Sequence, residues 1–350
     1  MQTTLASAKK PYFKRALADP TQNFRRVIQF AFLLLNVWLG VRFYFFVRQY
    51  ETYSPSGISR PPGVEGWLPI AGLMNLKAFL LTGQVPAVHP AAMVLVSVFL
   101  LSSWLLRKAF CGWLCPVGTI SEYLWKLGRK VFRRTYVLPK WADIPLRGLK
   151  YLLMSLFLYA VISMPVDAIL GFLESPYGMV ADVKMLLFFR TLGGTAAIVL
   201  VIIVASSLIV KNFWCRYLCP YGALMGLASL ASPVWIKRNE SRCIDCDKCN
   251  KACPSSLPVA QLIQIRSAEC LGCLECVAVC PAEDALDLTI AGRKRFYLQQ
   301  RRPWAIGAAL ALLFFGFVGM AKITGHWHTP ISDDAYQRLV PRAAEFGHPR

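Results

Sequence analysis

Apolar positions gather into long blocks along the chain, and polar and charged ones are pushed into the gaps between them. Five blocks approach the length a helix needs to cross a membrane: 27–47, 91–106, 151–170, 194–210 and 304–321. About 20 residues at 1.5 Å rise each span the roughly 30 Å hydrocarbon core. Arg42, near the outer end of the first block, is placed to snorkel its head group to the interface. A sixth, semi-apolar stretch at 67–81 is interrupted by Pro69, Gly72 and Lys77, and reads as interfacial or re-entrant rather than spanning. Ser54-Pro55-Ser56-Gly57 and Pro61-Pro62-Gly63 mark loops before it. The pattern predicts an all-α membrane bundle.

Charge orients the bundle. The segments 1–26, 107–150 and 211–303 carry 6, 10 and 13 Lys plus Arg, whereas 48–90, 171–193 and 322–350 carry 3, 2 and 4. The leader contributes Lys9, Lys10, Lys14, Arg15, Arg25 and Arg26 against the single acid Asp19. Cytoplasmic loops hold the excess of cations, so five spans follow, N-terminus inside and C-terminus outside, in a bacterial inner (cytoplasmic) membrane. A formal charge of +20 with 56% hydrophobic residues and a mean hydropathy of +0.45 suits this reading. Nucleic acid is not an expected partner, because no helix-turn-helix, zinc-finger or RNA-binding pattern accompanies the charge. The polar start precedes an apolar run long enough to remain as an anchor, unlike a signal peptide. The expected organisation is a cytoplasmic leader at 1–26, a four-helix transmembrane domain at 27–236, a small cytoplasmic α+β domain at 237–300, and a fifth helix with a periplasmic tail at 301–350.

The transmembrane domain carries an internal repeat. Met74-Asn-Leu-Lys77 leads through the second span to Cys111-x3-Cys115-Pro116-Val-Gly118, and Ala181-Asp-Val-Lys184 leads through the fourth to Cys215-x3-Cys219-Pro220-Tyr-Gly222. Both copies run outside to inside, so the repeats are parallel and related by a pseudo-two-fold axis along the membrane normal.

The chemistry lies in the cysteines. All 12 fall in motifs that end Cys-Pro, which leaves none for a structural disulfide and suits a reducing compartment. Eight of them form two runs of C-x2-C-x2-C-x3-C-P: Cys243, Cys246, Cys249 and Cys253 before Pro254, and Cys270, Cys273, Cys276 and Cys280 before Pro281. This is the run with which bacterial ferredoxins hold a pair of 4Fe-4S clusters, and there the last cysteine of each run ligates the other cluster. Cluster 1 is therefore assigned Cys243, Cys246, Cys249 and Cys280, and cluster 2 is assigned Cys270, Cys273, Cys276 and Cys253. Four thiolates also suit tetrahedral zinc, but zinc sites pair two C-x2-C knuckles across a longer spacer.

Cys111, Cys115, Cys215 and Cys219 offer a possible additional site. Cysteines at i and i+4 share one helical face, and two symmetric copies could hold a third cluster or a metal. The alternative is that each C-x3-C-P is a redox-active or structural turn whose proline ends the helix. His89, His326, His328 and His348 all fall on the predicted outer side. His89 and His326 are candidates, with Asp167, for a quinol or proton site, because acids near the membrane are costly and often functional. A lone interfacial histidine or a solvated helix-end acid is the plainer reading of each. No Walker, Rossmann or nucleophile-elbow motif marks a catalytic residue.

The order of spans, the paired C-x3-C-P motifs and the double ferredoxin run resemble the membrane polyferredoxins of the NapH/NosR/YccM type over roughly residues 65–325. The resemblance implies electron transfer between the quinol pool and a redox partner protein or subunit through two 4Fe-4S clusters, in a protein embedded among membrane lipids. No flavin-binding domain of the NosR type precedes the first span, and the C-terminal domain of the copper-handling CcoG type is missing. Neither flavin chemistry nor copper reduction is carried over. A different class of function, a redox assembly or regulatory factor for maturation of another metalloenzyme, is the alternative expectation.

Overall fold

The computed structural model describes residues 20–54, 57–134, 136–290, 294–295 and 304–348. The leader residues Lys9, Lys10, Lys14, Arg15 and Asp19, the loop residues Pro55-Ser56 and the pair Arg301-Arg302 lie outside the described residues. All five apolar blocks are helical, though not all with the expected bounds. Among the described residues three helices are long and apolar enough to cross a membrane, namely Thr21–Glu51, Trp141–Ser163 and Ala305–Ile323. A fourth crossing results if Ala181–Arg190 and Gly194–Ile209, bent by 83° at their junction, count as one span. The first helix leaves Val27, Leu34, Val37, Trp38 and Val41 exposed, an apolar stripe suited to lipid rather than water.

The second block forms Pro90–Leu106, 17 residues of which eleven are buried. A helix apolar all round belongs inside a protein or a bilayer, and this one is packed against the helices Pro69–Thr82, Pro220–Leu230 and Ala305–Ile323. The stretch expected to be interfacial is the helix Pro69–Thr82, closed by Gly83 in the left-handed conformation at φ 73°. The third block differs from expectation. Its helix starts at Lys140 and stops at Ser163, and residues 166–174 form a separate helix, Val166–Glu174. Pro165 is the cause: it lacks an N–H and forces Met164 out of the helical region, to ψ 127°.

The C-x3-C-P motifs also depart from the expected geometry. The second span breaks at Arg107, with φ 62°, and Cys111 sits on a short helix of its own, Ala109–Trp113. Cys115 then caps the amphipathic helix Pro116–Phe132. In the second copy Cys215 lies in a π-helical turn, Trp214–Leu218, and Cys219 caps Pro220–Leu230. Proline therefore starts a helix in each motif instead of ending one, as its fixed φ and missing donor favour at the first helical position. The two cysteines of a motif consequently belong to successive elements, not to one helical face.

The cysteine-rich region builds a four-stranded antiparallel sheet of order β2-β1-β3-β4, where β1 is Val234–Arg238, β2 Gln264–Ile265, β3 Leu286–Ile290 and β4 Lys294–Arg295. Val234 pairs with Ile290 and Ile236 with Leu288. Two helical turns, Lys248–Ala252 and Glu275–Ala278, lie over it, one in each cysteine run. Cys249, Cys253, Cys270 and Cys276 share one hydrophobic core with Val98 and Phe99 of the buried span and with Trp113. The sheet domain and the membrane helices are thus one packed body.

Candidate iron–sulfur sites

The two ferredoxin-like runs adopt the same backbone. The residue before the second cysteine is left-handed in both (Asp245 φ 53°, Gly272 φ 59°), as is the residue after it (Asp247 φ 58°, Leu274 φ 59°). Leucine seldom adopts this region, and such strain persists where the surroundings over-determine it. Alternation of right- and left-handed residues turns successive amides inward into a concavity suited to anionic groups. An iron–sulfur cluster with thiolate ligands is such a group.

The thiols gather in crossed sets. One small cavity is lined by Cys253, Cys270, Cys273 and Cys276, and another by Cys243, Cys246, Cys249 and Cys280. The fourth cysteine of each run faces the three of the other. Among the described residues no three His, Cys, Asp or Glu side chains converge closely enough for a single metal ion. Four soft donors that gather without converging on one ion suit a 4Fe-4S cluster better than zinc. Burial pushes the Cys280 thiol up to about 11 and raises that of Cys253, so a metal group must displace their protons.

Cys111, Cys115, Cys215 and Cys219 form a third gathering. Cys215 lies within electrostatic range of Cys219, Cys115 and Cys111, so the two repeats bring their motifs together. Both capping cysteines use the same contact, the Cys115 Sγ accepting from the Gly118 N–H at 3.4 Å and the Cys219 Sγ from the Gly222 N–H at 3.2 Å. A thiolate at a helix N-terminus is favoured by the exposed amides and the helix dipole. Lys108 and Lys150 are buried beside these thiols, and the Tyr221 hydroxyl next to them is buried with no partner. Buried cations and an orphaned donor beside four thiols fit an anionic cluster. When bound, such a group accepts and donates single electrons. Cys115, Cys219 and Tyr221 also line one end of an apolar cavity of about 980 Å³ that reaches Arg60, Lys322 and His328 at the other.

Comparison with known proteins agrees with this geometry. A 4Fe-4S binding domain model matches twice, at residues 88–135 and 192–243, and a 4Fe-4S dicluster domain model matches residues 235–292. The double match covers both C-x3-C-P motifs. A putative electron transport protein, YccM of Escherichia coli strain K12, is 49% identical over 93% of this chain and 92% of its own length. The chain belongs to the NapH/YccM-type family of 4Fe-4S ferredoxin-type proteins. The ferredoxin-type protein NapH of the same organism is 26% identical over 62% of this chain and 73% of its own. The regulatory protein NosR of Pseudomonas aeruginosa is 30% identical over 42% and 20%. No solved structure matches the chain. As a member of this family, the chain is a membrane iron–sulfur protein of electron transfer.

In this NapH/YccM-type chain many cations that the sequence pattern assigns to topology are buried and clamp the ferredoxin loops. Arg107 donates to the Ser267 carbonyl at 2.8 Å, Lys211 to the Lys251 carbonyl at 2.7 Å, and Lys150 to both Glu269 oxygens at 2.7 and 2.6 Å. Burial alone would raise the Glu269 carboxyl, but Lys108 and Lys150 hold it below the usual carboxylate range. Arg25 donates to the Gly112 carbonyl at 2.9 Å and to Glu275 at 3.0 Å, and also pairs with Glu122. Only side-chain burial distinguishes these from ordinary inner-loop cations, and the sequence carries no signal of that.

The outer-side candidates separate. Asp167 is exposed in the first turn of Val166–Glu174, and His326 is exposed past Ile323. His89 is fully buried in a cluster that sequence reading missed. Arg60 donates to Glu65 at 2.7 Å and to Asp182 at 2.8 Å, and its other nitrogen lies 3.3 Å from the His89 Nδ1. The His89 Nε2 donates to the Gly178 carbonyl at 2.8 Å. Burial would raise Glu65 and lower His89, but Arg60 holds Glu65 down and the hydrogen bond that His89 donates to Glu65 raises His89. Asp182 sits in the repeat segment 181–184, which is the signal that could have pointed to it.

Proposed function

We propose that this protein carries electrons between the quinol pool and a redox partner through three cluster sites. Cys243, Cys246, Cys249 and Cys280 hold one 4Fe-4S cluster, and Cys270, Cys273, Cys276 and Cys253 a second. Cys111, Cys115, Cys215 and Cys219 hold a third where the two repeats meet. The observation that carries this reading is the crossed gathering of thiols into two cavities, with a third four-thiol group beside buried cations. The apolar cavity ending at Cys115 and Cys219 offers a lipid-soluble quinol a place beside the third group. Five helices cross the inner membrane, with the ferredoxin-like domain on the cytoplasmic side and the C-terminus outside, as the loop charges direct.

The protein's own residues supply binding, orientation and charge. The capping thiols Cys115 and Cys219 are aimed by their helix amides, Lys108 and Lys150 offset the negative charge of four thiolates, and the buried aromatic walls exclude water. The test is a redox titration of membranes containing the protein, with and without a quinol analogue, followed by EPR. Reduction of iron–sulfur signals by quinol and its block by the analogue are expected. Clusters that titrate with dithionite yet ignore quinol would refute the donor while leaving the cluster sites standing.

A further inference from the structure

The repeats differ in what lies between their cysteines. Where the first motif has Gly112-Trp113, the second has Arg216-Tyr217. A Cβ built on Gly112 would lie 2.7 Å from the Leu271 carbonyl oxygen and 3.4 Å from the Cys273 Cβ. Only glycine allows the backbone joining Cys111 to Cys115 to come this close to the backbone joining Cys270 to Cys273. Trp113, fully buried, donates its indole N–H to the Gly272 carbonyl at 3.1 Å. From the other repeat, Arg216 donates to the Ser255 carbonyl, two residues past Cys253, and Lys211 to the Cys253 carbonyl at 3.3 Å. Both membrane motifs therefore reach the same crossed set, Cys253 with Cys270, Cys273 and Cys276. Those four thiols are buried, whereas Cys246 of the other set is exposed.

We propose that Gly112 and Trp113 are positioning residues that couple the membrane four-thiol site to the ferredoxin-like domain, and that electrons enter at the buried set and leave from the exposed one. The inference rests on the reading that the membrane thiols hold a redox centre. Each transfer moves one electron: the group on Cys111, Cys115, Cys215 and Cys219 is oxidised by one and the group on the buried set reduced by one. No bond forms or breaks, and no proton is needed. The set containing Cys246 then presents the electron to a partner in the aqueous phase.

The test compares intact protein with Gly112→Ala and Trp113→Phe, the second keeping burial and removing only the N–H. Iron and acid-labile sulfide are counted first and are expected to be unchanged. Under dithionite poise, EPR of the wild type is expected to show magnetic interaction between the membrane centre and the buried one, weakened in Gly112→Ala and less so in Trp113→Phe. In stopped-flow, quinol-driven reduction of the ferredoxin clusters is expected to slow several-fold in Gly112→Ala, while dithionite, which reaches the exposed set directly, reduces them at the wild-type rate. Unchanged interaction in Gly112→Ala with full iron content overturns the proposal, as does an interaction of the membrane centre with the exposed set instead. If quinol fails to reduce even the wild type, the donor assignment falls, and the EPR comparison still decides the coupling. An iron count lacking the third centre overturns both.

Discussion

Arg25 is the strongest test of how the membrane helices hold the ferredoxin-like domain. Its guanidinium is 1% exposed and joins three elements: Glu122 on the amphipathic helix, Glu275 in the second cysteine run, and the Gly112 carbonyl. Arg25→Met keeps the apolar stem and removes the charge, leaving the buried Glu122 and half-buried Glu275 carboxylates without it. Removing one partner of a buried ion pair costs about 3–5 kcal/mol. Lys126 remains bonded to Glu122 at 2.6 Å and to Glu275 at 3.3 Å, and Gln29 still donates to the Gly112 carbonyl at 3.1 Å. These residual contacts place the cost at the lower end, about 3 kcal/mol, or roughly two decades in the equilibrium between docked and undocked domain. Hydrogen exchange reads that equilibrium directly, since amide protection reports local opening. Protection of residues 270–276 in nanodiscs is expected to fall about a hundredfold in Arg25→Met, with little dependence on salt because the pair is buried. Arg342→Met, which removes an exposed pair with Glu345, is the control and is expected to change nothing. Equal protection in the two variants would refute the clamp.

Purified anaerobically, the protein is expected to carry about twelve irons and twelve sulfides, four of each per site; stoichiometric zinc without sulfide would contradict every cluster assignment. Cys253→Ser is expected to perturb the EPR signal of the cluster on Cys270, Cys273 and Cys276, and loss confined to the signal of the set on Cys243, Cys246 and Cys249 would refute the crossed pairing. Cys111→Ser and Cys215→Ser are expected to be similar singly and far from additive together, as for members of one ligand set; mild, additive effects with full iron content would point to independent turns. In the His89 cluster, Glu65 has a lowered pKa, so its contribution to stability is present above about 4.3 and lost as pH falls through the folded value. His89 is raised, so its contribution is complete below about 6.5 and lost as pH rises through the folded value. Thermal unfolding should therefore show stability declining on both sides of that window, and His89→Asn should flatten the alkaline side.

The crossed gathering of thiols was legible in the cysteine spacing because the motif is local: three thiols within seven residues and a fourth from the sister run leave little freedom. The helical blocks were legible for the same reason, each being set by its own apolar residues. What escaped was set by contacts distant in sequence. The third block was bounded wrongly because hydropathy continues through Met164-Pro165 while the backbone cannot. The role of proline in C-x3-C-P was inverted because a Cys-Pro pair reads alike at the end of one helix and the start of the next; the capping bonds from Gly118 and Gly222 decide it. The Arg60, Glu65, His89 and Asp182 cluster joins three stretches far apart in sequence, and although the repeat marks Asp182 and the outer position marks His89, no local pattern shows that they meet Arg60 and Glu65.

On the proposed topology, the same separation explains how one excess of charge performs two tasks. Lys and Arg in inner loops orient the chain wherever along the loop they fall, so that role constrains their number and side but not their positions. Position is therefore free to be fixed by something else. Here it is fixed by carbonyls: Arg107, Lys211 and Arg216 each end on a backbone oxygen between Lys251 and Ser267, and Lys150 on the carboxylate preceding Cys270. Loops that wrap a cluster turn their amides inward and so turn many carbonyls outward, where they need donors once buried against membrane helices. Buried lysine and arginine meet that need and at the same time offset the negative charge of the thiolates behind the loop. An inner loop with as many cations but no cluster-binding domain to receive them would leave those side chains in water.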